Sequence, residues 1–460
     1  MKTLNIRFLK KYINAKRPKS KYVNIKLYIH DVQKIDKFGH WAENWTNAFQ
    51  KAIDENECIY IPKGKYYINN SIVIPSNRKI LASKNAEICL IYGTKVLMMR
   101  NQNVINGQNR KILDNEPINE NISICGGLWS EESTCRLGQG KSGRYDDEDS
   151  FHGVGALLFF SGVNNLSLKN MKFKNVSSFC VQIGRCNNVV VKNLQFINCF
   201  SDGVHFNGDV KNAYVKNIKG ETGDDLVALN AYDFNNATIN NGSIQNLVIE
   251  DIHPDKKRGL KSVRLLAGVK KGGEEDIDCF IQNVYLSNMT GLCVAKMYLQ
   301  TAPYIGKPEP AGVGWMKNIH FNNIKIRQLL PTDSMPNFRN KDLETGNFGV
   351  FEIGTNIQDL YLTNIKAEMN KKDYPLTSHF ITVGPRTGYI EQKKLEIFDP
   401  YIECAVKNIY YKNIRINGKN IRDLTPEIRE VKFDKLYESE MPFGYGKVEN
   451  IKEIKLKNEF

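Results

Sequence analysis

One phrase recurs through the chain and constrains its fold more than any other feature. It is Asn, apolar, any, apolar, any, Asn, apolar, any, apolar. It reads NLSLKNMKF from Asn165, NVVVKNLQF from Asn188 and NAYVKNIKG from Asn212. Variants follow as QNLVIEDI, QNVYLSNM, KNIHFNNI, QDLYLTNI and KNIYYKNI. The first spacings are 23 and 24 residues, and later ones stretch to between about 30 and 50, which implies insertions. Alternating apolar and polar residues signal strands, and a strand signal at this period signals a solenoid. Leucine-rich repeats share the period, but the LxxLxL skeleton is absent and the half between strands is short and polar. The expected fold is therefore all-β: a single-domain parallel β-helix, each coil giving about three short strands stacked ~4.8 Å apart. The repeated asparagines suit bends, where their amides can bond from coil to coil in a ladder. They are read as structural.

The segment before the repeat, AFQKAIDENECIYIPKGKYYI, predicts a helix over about Asn47 to Asp54, followed by strands broken at Pro62 and Pro75. It resembles the opening segment of pectate-lyase-like proteins. That resemblance implies a right-handed solenoid whose N-terminal helix caps its open strand edge. The expected organisation is a basic N-terminal segment over 1–26, a β-helix catalytic domain over 27–420, and a tail over 421–460 that caps the solenoid or lies along it.

The formal net charge of +14 is unevenly spread. Residues 1–26 hold nine Lys or Arg and no acid, with Leu4, Phe8, Leu9, Tyr12 and Ile13 at helical spacing. A loosely held basic terminus is the plainer reading, and weak contact with an anionic membrane surface the sharper one. No run of 18 apolar residues offers a membrane span, and no apolar stretch after Lys2 makes a secretion signal. A cytoplasmic location is expected for the chain as given, and a secreted or cell-surface one if a leader has been removed. The ten cysteines form no CxxC pair and lie beside apolar residues, as small buried thiols do.

Chemistry enters with the acids. SDGVHF contains Asp202, and TGDDLVAL contains Asp224 and Asp225, 22 and 23 residues later. That step is close to one coil, so the three carboxylates should converge within ~5–10 Å on one face. Gly203 and Gly223 give the backbone freedom to turn them there. Clustered carboxylates do not all ionise cheaply, which leaves a protonated acid beside ionised bases. That is the equipment of glycosidic-bond hydrolysis. Calcium binding and ordinary surface turns are the competing uses.

Residues 157–230 resemble the polygalacturonases, family 28 of the glycoside hydrolases. MKFKNVSSFCVQIGRCNNVVVKNLQFINCFSDGVHF is similar to that family's segment ending in Asn-Thr-Asp-Gly, and TGDDLVAL to its Gly-Asp-Asp motif. The resemblance implies Asp224 as general acid, with Asp202 and Asp225 holding the attacking water. It implies inversion by single displacement, without metal or cofactor. Three departures stand out. Phe200-Ser201 replaces Asn-Thr. The family's Gly-His-Gly becomes a stretch with Arg258 where the His would be and His253 five residues earlier. Its Arg-x-Lys, which grips a uronic carboxylate, keeps only Lys296, with Arg264 approaching from the preceding coil. A related inverting hydrolase with another sugar specificity is expected.

Lys261, His205, Tyr232 and Tyr304 complete the candidate substrate-binding set, the aromatic faces being suited to sugar rings. The Gly-rich, charged insertion 135–153, with Asp146, Asp147, Glu148 and Asp149, suits a loop beside a groove. Two other readings stay open. A lyase or epimerase on the same scaffold would draw its base from Lys256, Lys257, Arg258, Lys261 or Arg264. A non-catalytic glycan-binding solenoid would not need the three acids. A polysaccharide or oligosaccharide partner is expected, an acidic one being favoured by the charge. Nucleic acid is not, because no basic stripe interleaves with aromatics.

Overall fold

The computed structural model describes residues 21–37, 40–91, 94, 96–102, 104, 119–132, 156–232, 241–255, 261–270, 275–291, 295–298, 311–327, 349–369, 379–384, 401–428, 430–432 and 443–454. The fold is a right-handed parallel β-helix. Contacts divide it into two compact units, 1–206 with 210–224, and 207–209 with 225–460.

In the first unit, strands Arg78–Leu90, Asn119–Glu131, Val163–Lys169, Asn187–Ile197 and Val210–Gly220 stack in parallel. Asn164 pairs with Asn187 and Asn187 with Lys211, so the coils advance by the 23 and 24 residues that the repeat predicts. A second ladder runs through Ile72–Ile74, Met99–Asn101, Ala156–Ser161, Phe179–Gly184 and Val204–Asn207. The repeat's apolar positions point inward: Leu166, Leu168, Val189, Val191, Ala213 and Val215 are buried. Phe173 stacks on Phe196 at 5.4 Å. Each such Val, Leu or Phe side chain contributes about 1.5–3 kcal/mol by leaving water.

The asparagines make the bends. Asn165, Asn170, Asn188, Asn193, Asn212 and Asn217 all have φ between 56° and 66°. Asn tolerates this left-handed region better than other residues with a Cβ. Their amides also bond along the solenoid: Asn193 Nδ2 donates to Asn170 Oδ1 at 2.7 Å, and Asn217 Nδ2 to Asn193 Oδ1 at 2.9 Å. One residue type therefore meets both demands of the bend.

The helix spans Thr46–Glu55 and buries Ala48, Phe49, Ala52 and Ile53. The Gln50 side chain accepts from Val73 N at 2.8 Å and donates to Val73 O at 3.0 Å. It thereby satisfies both backbone groups that Val73 would otherwise offer to another strand.

The second unit repeats the plan. One ladder runs Ile244–Pro254, Ile281–Gly291, Trp315–Arg327, Asn356–Glu368, Tyr401–Ile416 and Phe443–Glu453. The last strand carries regular parallel pairing beyond residue 420. The other ladder runs Asp225–Asn230, Lys261–Leu266, Ala295–Tyr298, Gly349–Gly354, His379–Val383 and Glu427–Ile428. On the first of these ladders, Tyr285, His320, Tyr361 and Tyr410 stack in sequence at 4.3, 4.1 and 4.7 Å. Seven of the eight described cysteines are buried. Among the described residues no helix is long and apolar enough to cross a membrane.

Candidate active site

Asp202 lies just before strand Val204–Asn207, and Asp225 opens strand Asp225–Asn230 with Asp224 before it. These strand starts hold the acids firmly. The Asp202 carbonyl accepts from Cys180 N at 2.9 Å, and the Thr222 hydroxyl donates to the Asp224 carbonyl at 3.0 Å. Gly223 serves a different end from the expected conformational freedom. A Cβ there would collide with the Phe200 carbonyl. Glycine is needed because two backbone segments approach closely, and that approach seats the turn bearing Asp224 against the Phe200 turn.

The three acids come together. One carboxylate oxygen from each lies within 4.8 Å of the others, tighter than the coil step alone suggests. Asp202 and Asp225 have no exposed surface, while Asp224 keeps 7%. At that spacing two ionised carboxylates repel by about 3 kcal/mol at an effective dielectric of ~20. Two neighbours offset this. Asp202 Oδ2 is 2.6 Å from His205 Nδ1, whose ring stacks on Phe179 at 4.0 Å and 14°. Asp225 Oδ2 is 2.6 Å from Arg264 Nε. The three oxygens are also a set that could hold a cation, but the guanidinium competes for Asp225.

The structure re-assigns several candidates. His205 is fully buried against Asp202 and Phe179, so it supports an acid and offers no ring face to a sugar. Tyr232 is 2% exposed and likewise presents no stacking face. His253 belongs to the other ladder, on Ile244–Pro254, where its Nδ1 meets Thr290 Oγ1 at 2.6 Å. Arg264 is committed to Asp225, and its strand position pairs with Lys296 in the next coil. Lys261 pairs with Asp225 at the strand start. Lys296 is followed in register by Glu352, a buried acid that sequence reading missed because 56 residues separate the two. Phe179 and Thr222 were also missed; Thr222 lies two residues before Asp224, and Phe179 lies one coil before Asp202. Arg258 and Tyr304, and the insertion 135–153, lie outside the described residues.

Residues 138–247 match the family model "Glycosyl hydrolases family 28". A search of curated protein sequences finds no match. Among solved structures, the family 28 exopolygalacturonase of Yersinia enterocolitica is similar at a TM-score of 0.51 and 14% identity, over 95% of this chain and 79% of that one. A hyperthermoactive exopolygalacturonase from Thermotoga maritima gives 0.46 and 12%, over 91% and 97%. The Streptococcus pneumoniae surface adhesin PfbA gives 0.41 and 11%, over 94% and 100%. At 14% identity the likeness to the Yersinia enzyme speaks for the fold alone, and it is the sequence match over 138–247, which contains all three acids, that points to the family. Over residues 138–247, which hold all three acids, the chain is similar to the family 28 glycosyl hydrolases, and this similarity supports a polygalacturonase-like glycoside hydrolase.

Proposed function

We propose that this protein hydrolyses glycosidic bonds of a pectin-like, acidic polysaccharide with inversion at the anomeric carbon, Asp224 donating the proton. One observation carries the assignment of roles: of three acids within 4.8 Å, Asp224 alone has exposed surface. The Arg264 guanidinium is charged at any working pH and keeps Asp225 ionised. His205 Nδ1, 2.6 Å from Asp202 Oδ2, fixes the position of that carboxylate. Repulsion within the cluster favours placing the proton on Asp224, the acid with exposed surface. Protonated Asp224 gives its proton to the leaving glycosidic oxygen as the bond breaks. Asp202 and Asp225 orient a water and take its proton as it attacks the anomeric carbon. The departures from the family pattern at Arg-x-Lys, with Arg264 engaged at Asp225, favour a sugar other than unmodified galacturonate beside Lys296.

A second reading has its own observation. In most glycosidases, carboxyl groups ~5 Å apart belong to retaining enzymes, and inverting ones leave ~6.5–9.5 Å for water. A separation within 4.8 Å would then make Asp202 or Asp225 a nucleophile. Proton NMR of the first anomer released from a panel of defined pectic oligosaccharides separates the two. Inverted product supports the proposal, and retained product replaces it with double displacement. A product absorbing near 235 nm would indicate elimination and overturn both.

A further inference from the structure

Four strands of the first unit carry a second feature that the acid cluster does not use. Val163–Lys169, Lys172–Lys174, Asn187–Ile197 and Val210–Gly220 together hold seven lysines and no acidic residue. The parallel register aligns them. Lys169 pairs with Lys192, and Lys192 with Lys216, in three successive coils. Past the asparagine bend, Lys172 pairs with Gln195 and Gln195 with Lys219, while Lys174 lies two positions further along. Lys172, Lys174 and Lys219 are exposed, and the Lys169–Lys192–Lys216 column is half-buried. The nearest acids along the chain, Asp209 and Glu221, fall just outside the strand Val210–Gly220.

Like charges directly opposite on neighbouring strands destabilise a sheet. Burial chiefly lowers the Lys169 pKa; Cys125 acts to raise it and the charge of Lys192 to lower it. The coils are ~4.8 Å apart, so the column runs roughly 10 Å along the solenoid as evenly spaced positive charge. Such a strip complements a linear chain with regularly spaced negative charges. It offers no exposed aromatic for bases to stack on, since Tyr214 is 6% exposed and Phe173 and Phe196 are buried. It exposes no large apolar side chain to enter a lipid surface either.

We propose that this lysine face is a binding surface for an acidic polysaccharide, on a different ladder from the strands that follow the three acids. It would hold a polyanionic chain independently of bond cleavage and raise its local concentration.

The test is affinity electrophoresis of the full chain through gels containing polygalacturonate, dextran, single-stranded DNA or vesicles of phosphatidylcholine with phosphatidylglycerol. Three proteins are compared: wild type, a Lys172→Gln/Lys174→Gln/Lys219→Gln variant and a Lys169→Gln/Lys192→Gln variant. Circular dichroism and cleavage of a short oligosaccharide check that each variant is folded. Wild type should be retarded by polygalacturonate and not by dextran. The exposed-lysine variant should lose at least about fivefold in affinity, added salt should remove most of the retardation, and short-oligosaccharide cleavage should stay unchanged. The same lysines replaced by Arg should restore retardation. Absence of wild-type retardation, a Gln variant that still binds like wild type, or stronger retention by DNA or vesicles would overturn the proposal. Because retardation is read without catalysis, failure of the hydrolytic reading would leave this result intact, and the reverse.

Discussion

Arg264 Nε stands 2.6 Å from Oδ2 of Asp225, a carboxylate with no exposed surface. The two residues are 39 apart in sequence but adjacent in space, because Asp225 opens one strand and Arg264 lies in the next strand of the same ladder. Arg264→Met should strip a buried carboxylate of its cation. Breaking such a pair costs about 3–5 kcal/mol, so the urea midpoint should drop sharply. kcat should also fall by about 10²-fold or more, because Asp225 would take up a proton that the mechanism needs elsewhere. Unchanged stability and activity would show that the guanidinium has no such role.

His205→Phe isolates the other support. It keeps an aromatic ring against Phe179 and deletes the 2.6 Å hydrogen bond to Asp202. Leaving that buried carboxylate short of a partner costs about 1–3 kcal/mol. We expect kcat to fall tenfold or more with KM little changed, and His205→Asn to recover part of it. A shift in KM alone would return His205 to the substrate-binding role that its sequence position suggested.

The asparagine bends can be tested apart from the site. Asn193 has φ of 58° and both donates and accepts in the ladder. Asn193→Ala should cost about 3 kcal/mol, combining a left-handed conformation with two lost hydrogen bonds. Asn193→Gly should recover about 1 kcal/mol, because it removes the conformational penalty and not the bonding loss. Equal unfolding midpoints for the two variants would contradict this division.

Stability should depend on pH through His320. Burial between Tyr285 and Tyr361 lowers its pKa to about 4 from 6.5. Between those values the unfolded chain binds the proton and the folded chain does not. The folded state therefore keeps this contribution in full above about pH 6.5 and loses it progressively as pH falls toward 4, by about 3 kcal/mol in all. Urea titrations at pH 4.5 and 7 should show this slope, and His320→Phe should flatten it.

Much of this was readable from spacing. The solenoid followed from Asn165, Asn188 and Asn212, because one coil of this fold has a nearly fixed length and the bends need the same residue each time. The acid cluster followed from the 22-residue step between Asp202 and Asp224 for the same reason. What could not be counted is what irregular coils bring together. Arg264 follows Asp225 by 39 residues and Glu352 follows Lys296 by 56, so insertions hid both neighbour relations. His205 looked like a substrate contact because its burial depends on Phe179, one coil away. Gly223 looked like a flexible joint because the carbonyl that excludes a Cβ belongs to Phe200 on another turn.

The most direct trial of the acid cluster is the rate of Asp224→Asn measured on two substrates with the same sugar, one an oligosaccharide and one an aryl glycoside with a good leaving group. The amide keeps the shape of the carboxyl and cannot donate the proton. The account predicts a fold intact by circular dichroism, a loss of about 10³-fold on the oligosaccharide, and a much smaller loss on the aryl glycoside, whose departure needs no proton. Turnover of the oligosaccharide near the wild-type rate, or equal losses on both substrates, would contradict it.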